Sequence, residues 1–286
     1  MSIFALALIL AAAIIHATWN LINKQASGHA TFTWLVAVLS SLFYAPATIA
    51  IIEIFQIEIS FVAIGMIAGS AALHSAYFVL LNQGYRSGDL SLVYPLARGT
   101  GPLLSCVAAI LFLGERPSVV ALLGALLIIG GVVVLSGNLT KLRERADQKA
   151  VRFALITGVF IAAYTLWDKQ VVTAFGIAPL VLDWGANVGR ALLLAPFAIR
   201  YSEETLAEWR EHKHEAIIIA VLIPLAYILV LTAMTFTPVS YVAPAREISI
   251  LIGAALGARL LAEGDARRRL TAASAMVLGI VALAVG

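Results

Sequence analysis

Three arginines stand in stretches that are otherwise apolar: Arg98 in "YPLARGTGP", Arg190 in "WGANVGRALLL", and Arg246 in "YVAPAREISI", where Glu247 follows at once. A guanidinium donates to a carboxylate or phosphate through a planar fork of N–H groups. Arginines isolated among apolar residues therefore point either to a buried carboxylate partner or to a bound anion. Only Glu247 stands at the same depth in its apolar run as the three arginines, so internal pairing accounts for part of their charge. The remainder suits an organic anion or the carboxylate of a zwitterion. Arg98 and Arg246 are the expected anion contacts, with Arg190 assisting. Glu247 is expected to balance them, or to receive a substrate amine or a coupling proton. In the alternative in which the charges pair internally, Glu247 could neutralise one arginine and Asp183 could reach Arg190 along their shared helical face at i, i+7. His74, Asp168 and Asp183 are further proton-coupling candidates, because a buried ionisable group can be tuned to load and release a proton.

Polar and aromatic residues recur beside these charges at helical spacing. His16, Trp19, Asn20 and Asn23 follow i, i+3, i+4, i+7 and share one helix face. Ile161, Tyr164, Thr165 and Asp168 stand at the matching positions later in the chain, and Ser70, His74 and Tyr77 form a third stripe. Tyr94 lies one turn before Arg98. Such faces read as walls of a central cavity, with Trp19, Asn20, His74, Tyr77, Tyr94 and Tyr164 as substrate-binding candidates. The plainer reading makes Trp19 and Tyr164 interfacial anchors, and His16 and His74 buried histidines with satisfied hydrogen bonds. The "EHKHE" stretch at 211–215 reads as a solvated loop and not as a metal site.

What must position these residues is a bundle of membrane helices. The chain is 62% hydrophobic and 12% charged, against roughly 45–50% and about 25% in soluble domains. Apolar runs of about 20 residues recur throughout, the length a helix needs to cross a hydrocarbon core. The ten-residue alternating segments of a transmembrane barrel are absent. A single cysteine, Cys106, leaves no disulfide framework or metal cluster. The basic residues sit in short loops, so the net charge of +3 gives no reason to expect nucleic acid. The N-terminal "MSIFALALILAAAII" lacks a basic n-region and reads as a retained first span.

The expected fold is an all-α polytopic membrane protein, with ten transmembrane helices as two inverted five-helix repeats around a central cavity. The spans fall near 3–23, 31–53, 60–83, 89–112, 117–137, 152–173, 178–199, 215–236, 238–261 and 267–286. "WNLINKQ" at 19–25 answers "YTLWDKQ" at 164–170, "SLVYPLAR" at 91–98 answers "SYVAPAR" at 240–246, and "FLGE" at 112–115 answers "LLAE" at 260–263. This divides the chain into repeats at 1–138 and 151–286 joined by a loop at 139–150. An odd number of spans per repeat inverts the second, as in many secondary transporters. Pro95 and Pro102 in span four, and Pro244 in span nine, predict locally broken helices at corresponding places near the binding site. The stretch 200–215 reads as a short interfacial helix with Leu206 and Trp209 on one side. "GMIAG" at 65–69 and "GAALG" at 253–257 read as close helix-packing motifs. Loops after the odd-numbered spans carry nearly all the basic residues, which by the positive-inside rule makes those loops cytoplasmic and both termini external.

No G-x-x-x-x-G-K-[ST] motif is present to hydrolyse ATP, and nothing in the sequence calls for a cofactor, a metal or an enzymatic activity. The repeats, "YRSGDLSLVYPLARGTGPLLSCVAAILFLGERPS" and "LLGALLIIGGVVVL" resemble the EamA-type drug/metabolite transporter superfamily over nearly the whole chain. The resemblance implies alternating access by a helical bundle that moves metabolites, amino acids or drugs, often outward. It also implies cytoplasmic termini, in conflict with the loop charges. Pro95 with Glu115, and Pro244 with Glu263, match the family's proline and glutamate; their places at span ends make the two glutamates hinges or caps, not substrate contacts. The resulting expectation is a secondary transporter in a bacterial-type plasma membrane. It would export a small organic anion or amino-acid-like metabolite, with the lipid bilayer as its surroundings and room for a homodimer. Efflux of lipophilic cations or drugs, a lipid-carrier flippase and a non-transporting assembly factor are the alternatives.

Overall fold

The computed structural model describes residues 1–23, 30–88, 90–135, 148–253 and 266–286. Helices account for most of them, and no strand occurs among the described residues. In chain order they are α1 (Ile3–Asn23), α2 (Ala30–Ile54), α3 (Phe61–Ser87), α4 (Leu90–Phe112), α5 (Val119–Leu135), α6 (Gln148–Thr173), α7 (Pro179–Arg200), α8 (Ser202–Phe236), α9 (Val239–Ala245) and α10 (Ala266–Val285). Five of them, α1, α2, α3, α6 and α8, are long and apolar enough to cross a membrane, and α4, α5 and α10 carry shorter apolar helical stretches. Large apolar side chains such as Phe4, Phe43, Phe61, Phe112, Leu192 and Val281 face outward along the bundle. Water would penalise that surface and lipid does not.

Local chemistry sets several helix ends. Ser60 precedes α3 and its hydroxyl accepts from the Ala63 N–H at 3.1 Å, so the first turn is capped. Pro179 opens α7, at a position where an N–H has no helical acceptor to lose. The stretch expected to be a short helix over 200–215 is helical as the first part of α8, which bends at His212 (φ −124, ψ 25) before running on into the bundle. Helix α6 begins at Gln148, inside the stretch read as the connecting loop.

The two halves of the chain are packed against each other throughout. α1 lies on α8, α2 on α7, α3 and α4 on α6, α4 on α9, and α5 on α10. Exchanging each helix of the first half with its counterpart in the second maps α1–α8 onto α6–α3 and returns α2–α7, α4–α9 and α5–α10 to themselves. A reciprocal pair of hydrogen bonds marks the α2–α7 crossing. Trp34 Nε1 donates to the Ala191 carbonyl at 3.0 Å, and Trp184 Nε1 donates to the Ser41 carbonyl at 2.8 Å. Both acceptors lie five residues before a helix-interior proline, Pro196 and Pro46, where the backbone ladder is interrupted. Pro224 of α8 denies the Ala220 carbonyl its helical donor, and Ser40 Oγ of α2 supplies one at 2.9 Å. At the α5–α10 crossing the backbones touch: a Cβ on Gly124 would stand 2.7 Å from the Gly279 carbonyl oxygen, and one on Gly279 2.6 Å from that of Gly124. The motifs singled out in the sequence behave differently. Gly69 packs against the Trp167 indole, Gly65 faces open space, and 254–257 lie outside the described residues.

One end of the bundle, the terminal face, carries Met1, Gly286 and the loops at 55–60, 113–118 and 174–178. The opposite, basic face carries the ends of α1, α3 and α7. A core of Val172, Ile177, Val181, Leu182, Met234 and Val239 fills the bundle toward the terminal face. Glu115 adds a polar clasp there. Its Oε1 accepts from the Val239 N–H at 2.7 Å and its Oε2 from the Ser240 N–H at 2.8 Å, capping the first turn of α9 as the sequence led us to expect. Lys169 Nζ donates to the carbonyls of Met234 and Thr237 beside it.

Candidate functional site

A cavity of about 330 Å³ occupies the middle of the bundle. Its wall runs from Ala12 of α1 and Val230 of α8, at mid-bundle, to Asn23, Phe32 and Tyr85 at the basic-face ends of α1, α2 and α3. The cavity therefore reaches toward the basic face and is shut by the apolar core on the terminal side. The four-residue stripe of α1, His16, Trp19, Asn20 and Asn23, lies entirely on the wall, as do His74, Tyr77, Arg98, Tyr164, Arg190 and Arg246. The matching stripe of α6 does not. Only Tyr164 reaches the cavity; Ile161 packs under Gly101 of α4, and Thr165 Oγ1 bonds back to the Ile161 carbonyl at 2.6 Å. The Tyr94 side chain lies outside the described residues.

The expected local break is present just after Pro244, where the helix ends at Ala245 and resumes at 248, but not in α4. Helix α4 runs through Pro95 and Pro102 without a break. After Pro244, the chain tightens instead of opening. Glu247 N donates to the Pro244 carbonyl (3.0 Å), Ser249 N to Arg246 (3.2 Å) and Ile250 N to Glu247 (2.9 Å), all i to i−3, and residues 248–253 are helical again. An unwound segment leaves backbone groups without partners in a medium that offers none, so a tighter turn is the less costly response. The Ser240 carbonyl, whose helical donor Pro244 lacks, receives Cys106 Sγ of α4 at 3.9 Å.

The charges are more thoroughly paired than the sequence count implied. Arg98 Nε lies 3.0 Å from Glu247 Oε2, with side chains 7% and 1% exposed. Arg98 thus lines the cavity with a carboxylate already beside it. Asp168 is completely buried and does not line the cavity; its Oδ2 receives His74 Nε2 at 2.9 Å and the Tyr227 hydroxyl at 2.5 Å. Asp183 does not meet Arg190 directly. Asn187 stands between them, its Nδ2 donating to Asp183 Oδ2 at 3.0 Å while its Oδ1 accepts from Arg190 Nη1 at 3.2 Å. Asp168 and Asp183 thus join the central network, and Arg98, Arg190 and Arg246 are matched in number by Asp168, Asp183 and Glu247.

Aromatic rings pave the site. His74 stacks on Tyr164 with centroids 4.1 Å apart, and Tyr77 and Tyr227 meet Tyr164 edge-on at 5.6 and 6.4 Å. The Tyr164 hydroxyl accepts from Arg246 Nη2 at 3.4 Å. Arg246 Nη1, Trp19 Nε1 and Ser249 Oγ are buried and have no hydrogen-bond partner among the described residues, and all three side chains belong to the cavity wall. Each can donate, so this wall holds donors without acceptors. Tyr227 and Asn187 were not singled out in the sequence. Asn187 was legible, since it falls at i+4 from Asp183 and i−3 from Arg190. Tyr227 was not, because "PLAYILV" reads as plain apolar helix.

Residues 3–137 match the sequence model of the EamA-like transporter family. A solved crystal structure superposes on the chain with a TM-score of 0.78 at 15% identity, covering 98% of this chain and 97% of the other; at that identity the likeness is one of fold. No curated protein matches the sequence.

Proposed function

Over residues 3–137 the chain belongs to the EamA-like transporter family, and on that premise we propose that it is a secondary transporter of a small organic anion or an amino-acid-like metabolite. The coarser statement, a multi-pass helical membrane transporter of small molecules, is the family's own. The observation that carries the finer one is the set of buried donors without acceptors on the cavity wall: Arg246 Nη1, Trp19 Nε1 and Ser249 Oγ. A buried donor left unpaired costs about 1–3 kcal/mol, more when charged. A carboxylate or phosphate supplies several acceptor positions at once and is held most strongly by the guanidinium.

Arg246 takes the principal role in this reading, with Arg190 beside it and Arg98 positioned by Glu247 as a supporting charge. Tyr77, Tyr164 and Trp19 offer flat apolar faces to the rest of the cargo, and Asn20 lies on the same wall. A cavity of about 330 Å³ is the size that a small metabolite fills. The two halves of the chain act as the repeats whose relative rocking exposes the site to each face in turn. The family resemblance supplies the direction, export, and a bacterial-type plasma membrane is the proposed location.

The test is ligand stabilisation of the detergent-purified protein, with benzoate, phenylphosphonate, L-leucine and tetraphenylphosphonium as probes. A ligand at 100 times its dissociation constant adds about 2.7 kcal/mol to stability. Stabilisation by an anion or by the zwitterion that disappears in Arg246→Gln is the expected result. Stabilisation by tetraphenylphosphonium alone, or by anions with Arg246→Gln unaffected, overturns the reading.

A further inference from the structure

The cavity's formal charges cancel before any cargo enters. Arg98 is bound to Glu247, Arg190 is linked through Asn187 to Asp183, and Arg246 shares the site with buried Asp168 by way of Tyr164 and His74. A monovalent anion placed on Arg246 leaves this enclosed region one negative charge in excess. Reorienting that excess through a low-dielectric protein is costly, and a single proton removes it. The question is which group on the wall is built to accept that proton.

Resting on the anion reading above, we infer that the His74–Asp168 pair is the proton-binding site of this transporter, and that it takes up one proton when a carboxylate occupies the cavity. His74 is the link between the buried carboxylate and the cavity. Its Nε2 meets Asp168 Oδ2 at 2.9 Å, its side chain is 12% exposed, and it lines the cavity wall. Asp168 has no exposure of its own and reaches the cavity through this ring and through Tyr227, which also lines the wall. The Tyr227 hydroxyl fixes the carboxylate by donating to the same oxygen. Protonation turns the His74–Asp168 hydrogen bond into an ion pair, which a carboxylate already in position can accept without reorganisation.

The groups that face His74 come from four other elements. Asp168 and Tyr164 lie on α6, Tyr227 on α8, Arg190 on α7, and Arg246 in the turn after α9; Tyr77 is on its own helix. Arg190 and Arg246 oppose a proton on His74 while the cavity is empty. An anion bound to them removes that opposition, so anion and proton each favour the other's binding. The second cavity histidine lacks this arrangement. His16 packs edge-on against Trp19 at 4.7 Å, and no carboxylate is among its described partners. Asp183 is the other carboxylate near the site, but it is held by the Asn187 amide and does not line the cavity.

Linkage makes the coupling reciprocal. If one proton enters with each anion, affinity for benzoate weakens by up to about tenfold per unit rise in pH across the titration of the pair. Calorimetry of benzoate binding to the full-length protein in bis-Tris and in Tris at one pH, neither buffer being an anion that competes for the site, reads the proton count directly, because buffer ionisation heats differ. The expected result is about one proton taken up per benzoate by the wild type, and none in His74→Gln or Asp168→Asn. The wild-type pH slope gives the same answer without any variant. Benzoate binding with no proton uptake overturns this inference and leaves the anion reading intact. Uptake that survives in both variants, or that is abolished only by Asp183→Asn, overturns it as well. No binding of benzoate, phenylphosphonate or L-leucine defeats the anion reading and this inference with it.

Discussion

Glu247→Leu separates a structural role for Arg98 from a substrate-binding one. Arg98 and Glu247 are nearly inaccessible, and their 3.0 Å contact bridges α4 and the turn after α9. Removing the carboxylate takes away the buried countercharge of Arg98, whose side chain is 7% exposed, and leaves the positive charge of Arg246, the residue just before Glu247, without its neighbouring carboxylate. Breaking a buried pair from one side costs about 3–5 kcal/mol, whereas replacing both partners by apolar residues of similar volume is often neutral or better. Glu247→Leu is therefore expected to lose about 3–5 kcal/mol, and the double variant Arg98→Met/Glu247→Leu to recover most of it. Denaturant titration of the detergent-solubilised protein, followed by tryptophan fluorescence, reads the difference as a shift in midpoint at constant slope. A loss below about 1 kcal/mol in the single variant, or equal losses in single and double, would refute the pairing argument. It would return Arg98 to the role of free anion contact that the sequence first suggested.

Two further predictions concern the packing that surrounds the site. Glu115→Ala removes both acceptors at the first turn of α9 and is expected to cost about 0.5–2 kcal/mol, as other lost caps do; Glu115→Gln, which keeps one acceptor, should cost less, and equal stability of all three proteins by thermal unfolding would show that the cap contributes nothing. Trp34→Phe and Trp184→Phe each remove one hydrogen bond to a proline-interrupted helix and should each cost about 0.5–1.5 kcal/mol, with the same assay exposing any large inequality between them.

Much of the fold was legible because apolar runs of membrane length leave few alternatives. The ends of α1, α2 and α4 fall within a residue or two of the sequence reading. The α1 stripe was legible for a related reason: four polar or aromatic residues at helical spacing need a polar neighbour, and in a bundle that neighbour is the cavity. What the sequence misjudged was depth and partnership. The sequence reading placed only Glu247 at the depth of the three arginines, yet His74, Tyr227 and Asn187 draw Asp168 and Asp183 into the central network. Distance along a helix says little about which neighbour a side chain reaches across it. The reciprocal Trp34 and Trp184 bonds were equally open to view. Each tryptophan precedes an Ala-Pro pair, at 45–46 and 195–196, with twelve residues from tryptophan to proline in both halves.

The arrangement of charge bears on how the proposed site can be both buried and able to bind an anion. Three unpaired arginines would hold an anion tightly but would resist being desolvated in the empty protein, since an isolated buried charge is among the most costly groups to fold around. Pairing Arg98 with Glu247 and linking Arg190 to Asp183 through Asn187 offsets that cost. Arg246 is treated differently. It keeps one nitrogen on the Tyr164 hydroxyl and one without a described partner, at the wall of the cavity. On the proposed reading, a guanidinium with a nitrogen still open at the wall would give the cargo one strong anchor, and binding there need not dismantle the charge pairing that links α4, α7 and the turn after α9. Release is then also accessible, because only one charged contact has to be surrendered. A transporter needs that balance more than it needs affinity, since a site that binds too well does not let go.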